Sequence, residues 1–129
     1  MKTTTGIFLA ACAFGVGLLP LSGAHAQRVS RMPASQLGTL CTRASGTGLC
    51  DSYISGVADA AALAHLFERN AEKDQHDVAA FCIAPATSLS DMRGKVVDWM
   101  KAHRDQLSRP AGEAVFTALH ESYPCGDHK

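Results

Sequence analysis

LCDSYISGVADAAALAHLFERN, residues 49–70, contains no proline and a single glycine, so nothing in it interrupts a helix. Leu49, Tyr53, Val57, Ala60, Ala61, Ala64 and Phe67 recur at helical spacing as one broad apolar stripe, and Ile54, Leu63 and Leu66 widen it. A helix wet on so little of its circumference is expected at the centre of a domain, or against another subunit. Gly56, Ala60 and Ala64 recur every fourth residue. Gly56 costs the helix about 1 kcal/mol relative to alanine, so close approach of a neighbouring backbone is the expected compensation. A core helix is the primary reading and a homodimer seam the alternative.

Upstream, residues 44–48 (ASGTG) form a turn. Thr47 is expected to cap the long helix, with Asp51 in its first turn. Before the turn, Leu37, Leu40 and Cys41 make the apolar face of a short helix for which Ser35 is the expected cap. Residues 27–34 read as a polar, mobile lead-in. Lys2 and the apolar run from Gly6 to Leu21 look like an export signal, and Ala24-His25-Ala26 places cleavage after Ala26. That run is too short for a spanning helix, which needs roughly 20 apolar residues. Leu9-Ala10-Ala11-Cys12 resembles a lipobox, which makes a lipoprotein anchored at Cys12 the secondary reading. Only about three apolar residues precede that box, against the 7–15 expected of a signal's apolar region. Removing 26 of the 129 residues leaves 103, enough for one domain.

Downstream, residues 71–78 (AEKDQHDV) are charged and lack amphipathic period, which marks a surface loop or a frayed helical end. Phe81-Cys82-Ile83 is a short apolar anchor, and Pro85 prevents a helix from running through it. Ser88 to Asp91 resembles a capping box with a shortened acid. The third helix carries Met92, Val96, Trp99, Met100 and His103 on one face, with Trp99 and both methionines expected in the core. Ser108 and Pro110 announce a fourth helix with the stripe Ala111, Ala114, Val115, Ala118, Leu119 and Ser122, closing at Tyr123-Pro124. Residues 126–129 are a polar tail. The fold class is therefore all-α, a small bundle of about four helices.

Once Cys12 leaves with the signal, Cys41, Cys50, Cys82 and Cys125 remain, an even number in an exported chain. Two disulfides are the expected outcome. Separations of 9, 32 and 43 positions, with no CxxC pair, disfavour a zinc site. Four cysteines permit three connectivities. Helix topology favours Cys41–Cys50 across the glycine-rich turn, and Cys82–Cys125 at one end of an antiparallel hairpin of helices three and four.

Twelve Lys and Arg balance twelve Asp and Glu, and losing Lys2 leaves a formal charge of −1. That near-neutral balance argues against nucleic acid or an anionic membrane as the main partner. No catalytic constellation is evident. His65 and Glu68 can share a helix face, but two groups make no catalytic site. His103 reads as a partner for the helix dipole and His120 as a terminal surface group. The serines lack a Gly-x-Ser-x-Gly turn, and bridged cysteines are not nucleophiles. Asp59 shares a face with Ser52 and Ser55 and reads as a structural or exposed acid. No cofactor or metal is expected.

From about Leu37 to Cys125 the chain resembles the Rap/Tai family, periplasmic immunity proteins against type VI secretion cell-wall amidases. The resemblance rests on Cys41, then on Cys50, Tyr53, Ile54, Gly56, Val57 and Asp59 in one helix. It continues through Phe81, Cys82, Ile83 and Pro85, then Lys101 and His103, and ends at Tyr123, Pro124 and Cys125. The chain departs from the family pattern at Arg104, where a proline is usual, and at Ser52, where a glycine is frequent. The resemblance implies a domain over residues 35–125 that is not an enzyme. Its expected work is to block the groove of an imported peptidoglycan amidase, often as a homodimer. Loops on a braced scaffold are where contacts concentrate, which selects Glu72, Lys73, Asp74, Gln75 and His76, with Arg104 and Asp105, as candidate partner-binding residues. A small periplasmic acid-stress chaperone, and a family-like binding module without a toxin, are the alternatives.

Overall fold

A computed structural model describes residues 30–72 and 78–126, with backbone alone at residue 72. Its elements are α1 (Ala34–Thr42), α2 (Thr47–Glu72), α3 (Leu89–Ala102) and α4 (Ala111–Ser122), with single 3-10 turns at Ala44–Gly46 and Arg104–Gln106. Among the described residues there is no strand beyond one isolated bridge between Pro33 and Pro110. The all-α expectation of about four helices holds.

The helix starts show which local signals act and which are overridden. Ser88 caps α3 as expected: its Oγ accepts the Asp91 N–H at 3.1 Å and donates to the Asp91 carboxylate at 2.7 Å. Ser35 does not cap α1, which begins one residue earlier, behind Pro33, without a side-chain cap. The free N–H groups of that end go instead to the distant chain. Ala34 donates to the Arg109 carbonyl and Ser35 to that of Leu107, each at 2.9 Å. Thr47 is no N-cap either. It already has helical backbone angles at the exit of the 3-10 turn, and its hydroxyl donates to the Ala44 carbonyl. The turn therefore feeds α2 directly, and the helix runs from Thr47 to Glu72, two residues longer at each end than the sequence suggests.

Helices α3 and α4 form the antiparallel hairpin that their short connection predicts, and α1 lies across both. Leu37, Val96, Val115 and Leu119 are fully buried between them, with Met92 and Met100 beside these. The start of α2 closes the core with Cys50 and Ile54. A half-buried ion pair, Arg93 to Asp51 at 2.6 Å, locks α3 to α2. Both disulfides pair as topology indicated. Cys41–Cys50 joins the end of α1 to the start of α2 with Cα atoms 5.0 Å apart, and Cys82–Cys125 joins the hairpin's open end with Cα atoms 4.8 Å apart. Beside the second bridge, the Cys82 N–H donates to the Tyr123 carbonyl at 2.8 Å.

Two packing expectations are corrected. Trp99 is half-buried at the α3–α4 edge, not central. Its ring stacks on His103 with centroids 4.2 Å apart, and its indole N–H donates to Glu121 at 2.8 Å, a partner that only a surface position supplies. The broad stripe of α2 also divides. Ile54 is completely buried, whereas Leu49 and Phe67 are each 67% exposed. A Cβ added at Gly56 would meet no atom within 4 Å, so the close approach expected there does not occur inside the subunit.

Candidate functional site

Shallow hollows mark the described surface, three of them well lined. The first, about 380 Å³, lies between α1 and the end of α3. Gly38, Val97, Met100 and Leu107 line it with apolar surface, Ser35, Thr39 and Thr42 contribute hydroxyls, and Lys101 and Arg104 bring positive charge. The hydroxyl hydrogens of Thr39 and Thr42 are committed to backbone carbonyls one turn back, at 3.0 Å in each case, which leaves their lone pairs facing outward as acceptors. Lys101 pairs loosely with Asp98 at 3.3 Å. Asp105, next to Arg104, is exposed and accepts from the Gln106 side chain at 2.9 Å.

The second hollow, about 480 Å³, runs between α2 and the segment carrying Phe81 to Thr87, with Asp59 and Ser55 along one side. The third, about 640 Å³, lies between α2 and α4, lined by Tyr53, Gly56, Val57, Ala60, Gly112 and Phe116 among others. None of the three gathers catalytic groups. Among the described residues no set of three His, Cys, Asp or Glu could hold a metal ion. No helix there is long and apolar enough to cross a membrane. The titration shift that is resolved belongs to Tyr123, whose phenol is pushed up by burial and then by the nearby negative charge of Asp91.

Two groups of candidate contact residues come from the sequence. Arg104 and Asp105 sit in the 3-10 turn after α3. Glu72 is the last residue of α2, and Lys73, Asp74, Gln75 and His76 lie outside the described residues. The Arg93–Asp51 pair and the second hollow together show α2 and α3 running antiparallel, which sends the end of α2 and the turn holding Arg104 and Asp105 to opposite ends.

The family model for Rap1a immunity proteins matches residues 34–125. The chain belongs to this family. Comparisons with curated proteins and with solved structures found no match to the chain.

Within this Rap1a immunity domain the motif residues take identifiable places. Ile54 is core, and the Tyr53 hydroxyl reaches over Gly112 of α4, 3.4 Å from where a Cβ would stand. Asp59 is exposed at the rim of the second hollow. Pro85 sits in a turn closed by the Thr87 N–H donating to the Ala84 carbonyl. His103 ends α3, with its Nδ1 and the Trp99 carbonyl 2.9 Å apart. Tyr123 and Pro124 lead into Cys125 as α4 ends. The hydroxyl rim of the first hollow was not foreseen. Ser35, Thr39 and Thr42 share one face of α1 at helical spacing, but they meet Arg104 only through the fold, more than sixty positions away in sequence.

Proposed function

We propose that this immunity protein acts in the periplasm by binding and blocking an imported cell-wall amidase, a type VI secretion effector. The observation that carries the reading is the family match across residues 34–125 on a scaffold whose cysteines serve as braces. Disulfides persist in oxidising compartments, which agrees with export ahead of a cleaved leader. The protein is a stoichiometric inhibitor, and its specificity lies in surface chemistry.

For the toxin-binding edge, the first hollow suits best. Arg104 stands where a proline is usual in the resembling family, and it adds a long cation to a groove that already carries hydroxyls and an apolar floor. Such a mixture accommodates an acidic side chain of a partner together with a neighbouring apolar one. The exposed Asp105 and the segment from Glu72 to His76 are the second candidates.

The test is a periplasmic pull-down followed by an amidase protection assay. The exported chain should abolish cell-wall cleavage by its cognate amidase at equimolar concentration near neutral pH, and Arg104→Glu should weaken that protection. Protein that leaves every neighbouring amidase active at micromolar concentration would overturn the reading. An acid-stress chaperone would instead bind unfolded clients only after acidification.

A further inference from the structure

The two bridges differ in how far solvent reaches them. Cys41 and Cys50 are 5% and 0% exposed, and both belong to the core. Cys82 is exposed and Cys125 is half-buried. A thiolate must touch the sulfur that it attacks, so exposed bridges are the ones open to exchange. The exposed bridge also fastens a strap, residues 78–88, which leads into α3 with neither helix nor strand of its own. Beside the bridge, the strap is held to α4 and its exit by single weak contacts. The Cys82 N–H donates to the Tyr123 carbonyl at 2.8 Å, and the His120 ring donates to that of Ala80. Phe81 meets Phe116 edge-on, with ring centroids 5.5 Å apart.

We propose that Cys82–Cys125 is a site of thiol–disulfide exchange, opened at Cys82 by an external dithiol of the CxxC kind, and that its reduction unlatches the strap while Cys41–Cys50 stays closed. In the first step a thiolate of the dithiol attacks the Cys82 sulfur. The Cys82–Cys125 bond breaks, a mixed disulfide forms on Cys82, and Cys125 leaves as a thiolate that takes a proton from water. The reductant's other thiol then gives up its proton and attacks its own partner sulfur in the mixed disulfide. The reductant departs oxidised, as an internal disulfide, and Cys82 leaves as a thiolate that is protonated in turn. The electron pair of the dithiol thus ends on the cysteine sulfurs of the chain.

The surroundings of Cys125 favour the opened state once it forms. Its sulfur lies 3.4 Å from the Ala79 carbonyl oxygen, itself part of the strap. In the closed bridge that sulfur has no hydrogen to give, whereas a Cys125 thiol donates to this carbonyl. A thiolate there would face the oxygen's lone pairs instead, so the protonated, unreactive form is preferred and reclosure is slowed. The strap carries one wall of the second hollow, Phe81 to Pro85 with Thr87, against Ser55 and Asp59 of α2. Unlatching loosens that wall. The first hollow is left as it is, because its residues come from α1, the end of α3 and the turn beyond.

This inference does not rest on the toxin reading, and the purified, doubly bridged chain tests it directly. The protein is treated with dithiothreitol without denaturant, alkylated at intervals, and mapped by peptide mass spectrometry. Cys82 and Cys125 should label at least ~10-fold faster than Cys41 and Cys50, at a rate unmoved by low urea and with far-UV helicity retained. Amide exchange at Cys82 should rise at least ~10-fold once the bridge opens, while that at the enclosed Ile54 holds. Excess glutathione, followed by rapid alkylation, should leave its adduct on Cys82. Failure of Cys82 and Cys125 to outpace the other pair, or joint labelling at a rate that climbs with urea, would overturn the proposal, since global unfolding exposes both bridges alike. So would a glutathione adduct on Cys125, loss of helicity along with the bridge, or a Cys82 amide that stays protected in the reduced chain.

Discussion

The inner and outer faces of α2 both carry large apolar side chains and have opposite fates. Cys50 and Ile54 are sealed in the core, whereas Leu49, Leu63 and Phe67 stand in solvent. What separates them is neighbours. The inner face meets α1, α3 and α4 and is bolted there by the Cys41–Cys50 bridge and the Arg93–Asp51 pair. Among the described residues, the outer face meets little. Apolar composition therefore says that a surface wants cover, but not which molecule supplies it.

The strongest way to break the contrast is to remove the bolts. Replacing Cys82 and Cys125 together with alanine opens a loop of 43 positions and should destabilise by about 4 kcal/mol on the loop-entropy account, read as a lower urea midpoint. The pair Cys41 and Cys50 closes only 9 positions and should cost about 2.5 kcal/mol by the same measure. Next comes the direct comparison of faces. Ile54→Ala removes a fully buried side chain and should cost about 3 kcal/mol, while Phe67→Ala should change subunit stability by less than about 0.5 kcal/mol. Equal losses for the two would erase the distinction between the faces.

Smaller effects sharpen it. Ser88→Ala deletes the α3 cap and should cost about 1 kcal/mol, with amide exchange rising first around Leu89 to Asp91. The smallest effect concerns pH. The Tyr123 phenol is pushed up in the folded chain by burial and by Asp91, so the unfolded chain releases that proton first. Stability from this source is complete below the ordinary tyrosine value of 10.0 and falls as pH rises through and beyond it. Urea midpoints measured on both sides of that value should decline more steeply for the native chain than for Tyr123→Phe.

How much of this was legible depended on distance along the chain. The α3 cap could be read because Ser88 and Asp91 are three residues apart, and the bridges because each joins ends that topology brings together. The Ser35 and Thr47 caps were misjudged for the opposite reason. The partners of the α1 start are carbonyls of Leu107 and Arg109, which no local pattern announces. The α2 stripe was read as one surface because helical spacing registers hydrophobicity and is blind to where the body of the domain stops. The first hollow draws its residues from α1 and from the end of α3 with the turn beyond it, so only the folded chain assembles it.

The joint between the first and last helices limits how the chain can be trimmed. Ala111 donates its N–H to the Met32 carbonyl at 2.7 Å, and Ala34 is wholly enclosed. A protease maturing this protein can cut anywhere before about Arg31 and leave that joint whole. A cut only a few residues further on would strip α4 of its first acceptor and uncap α1 together with it.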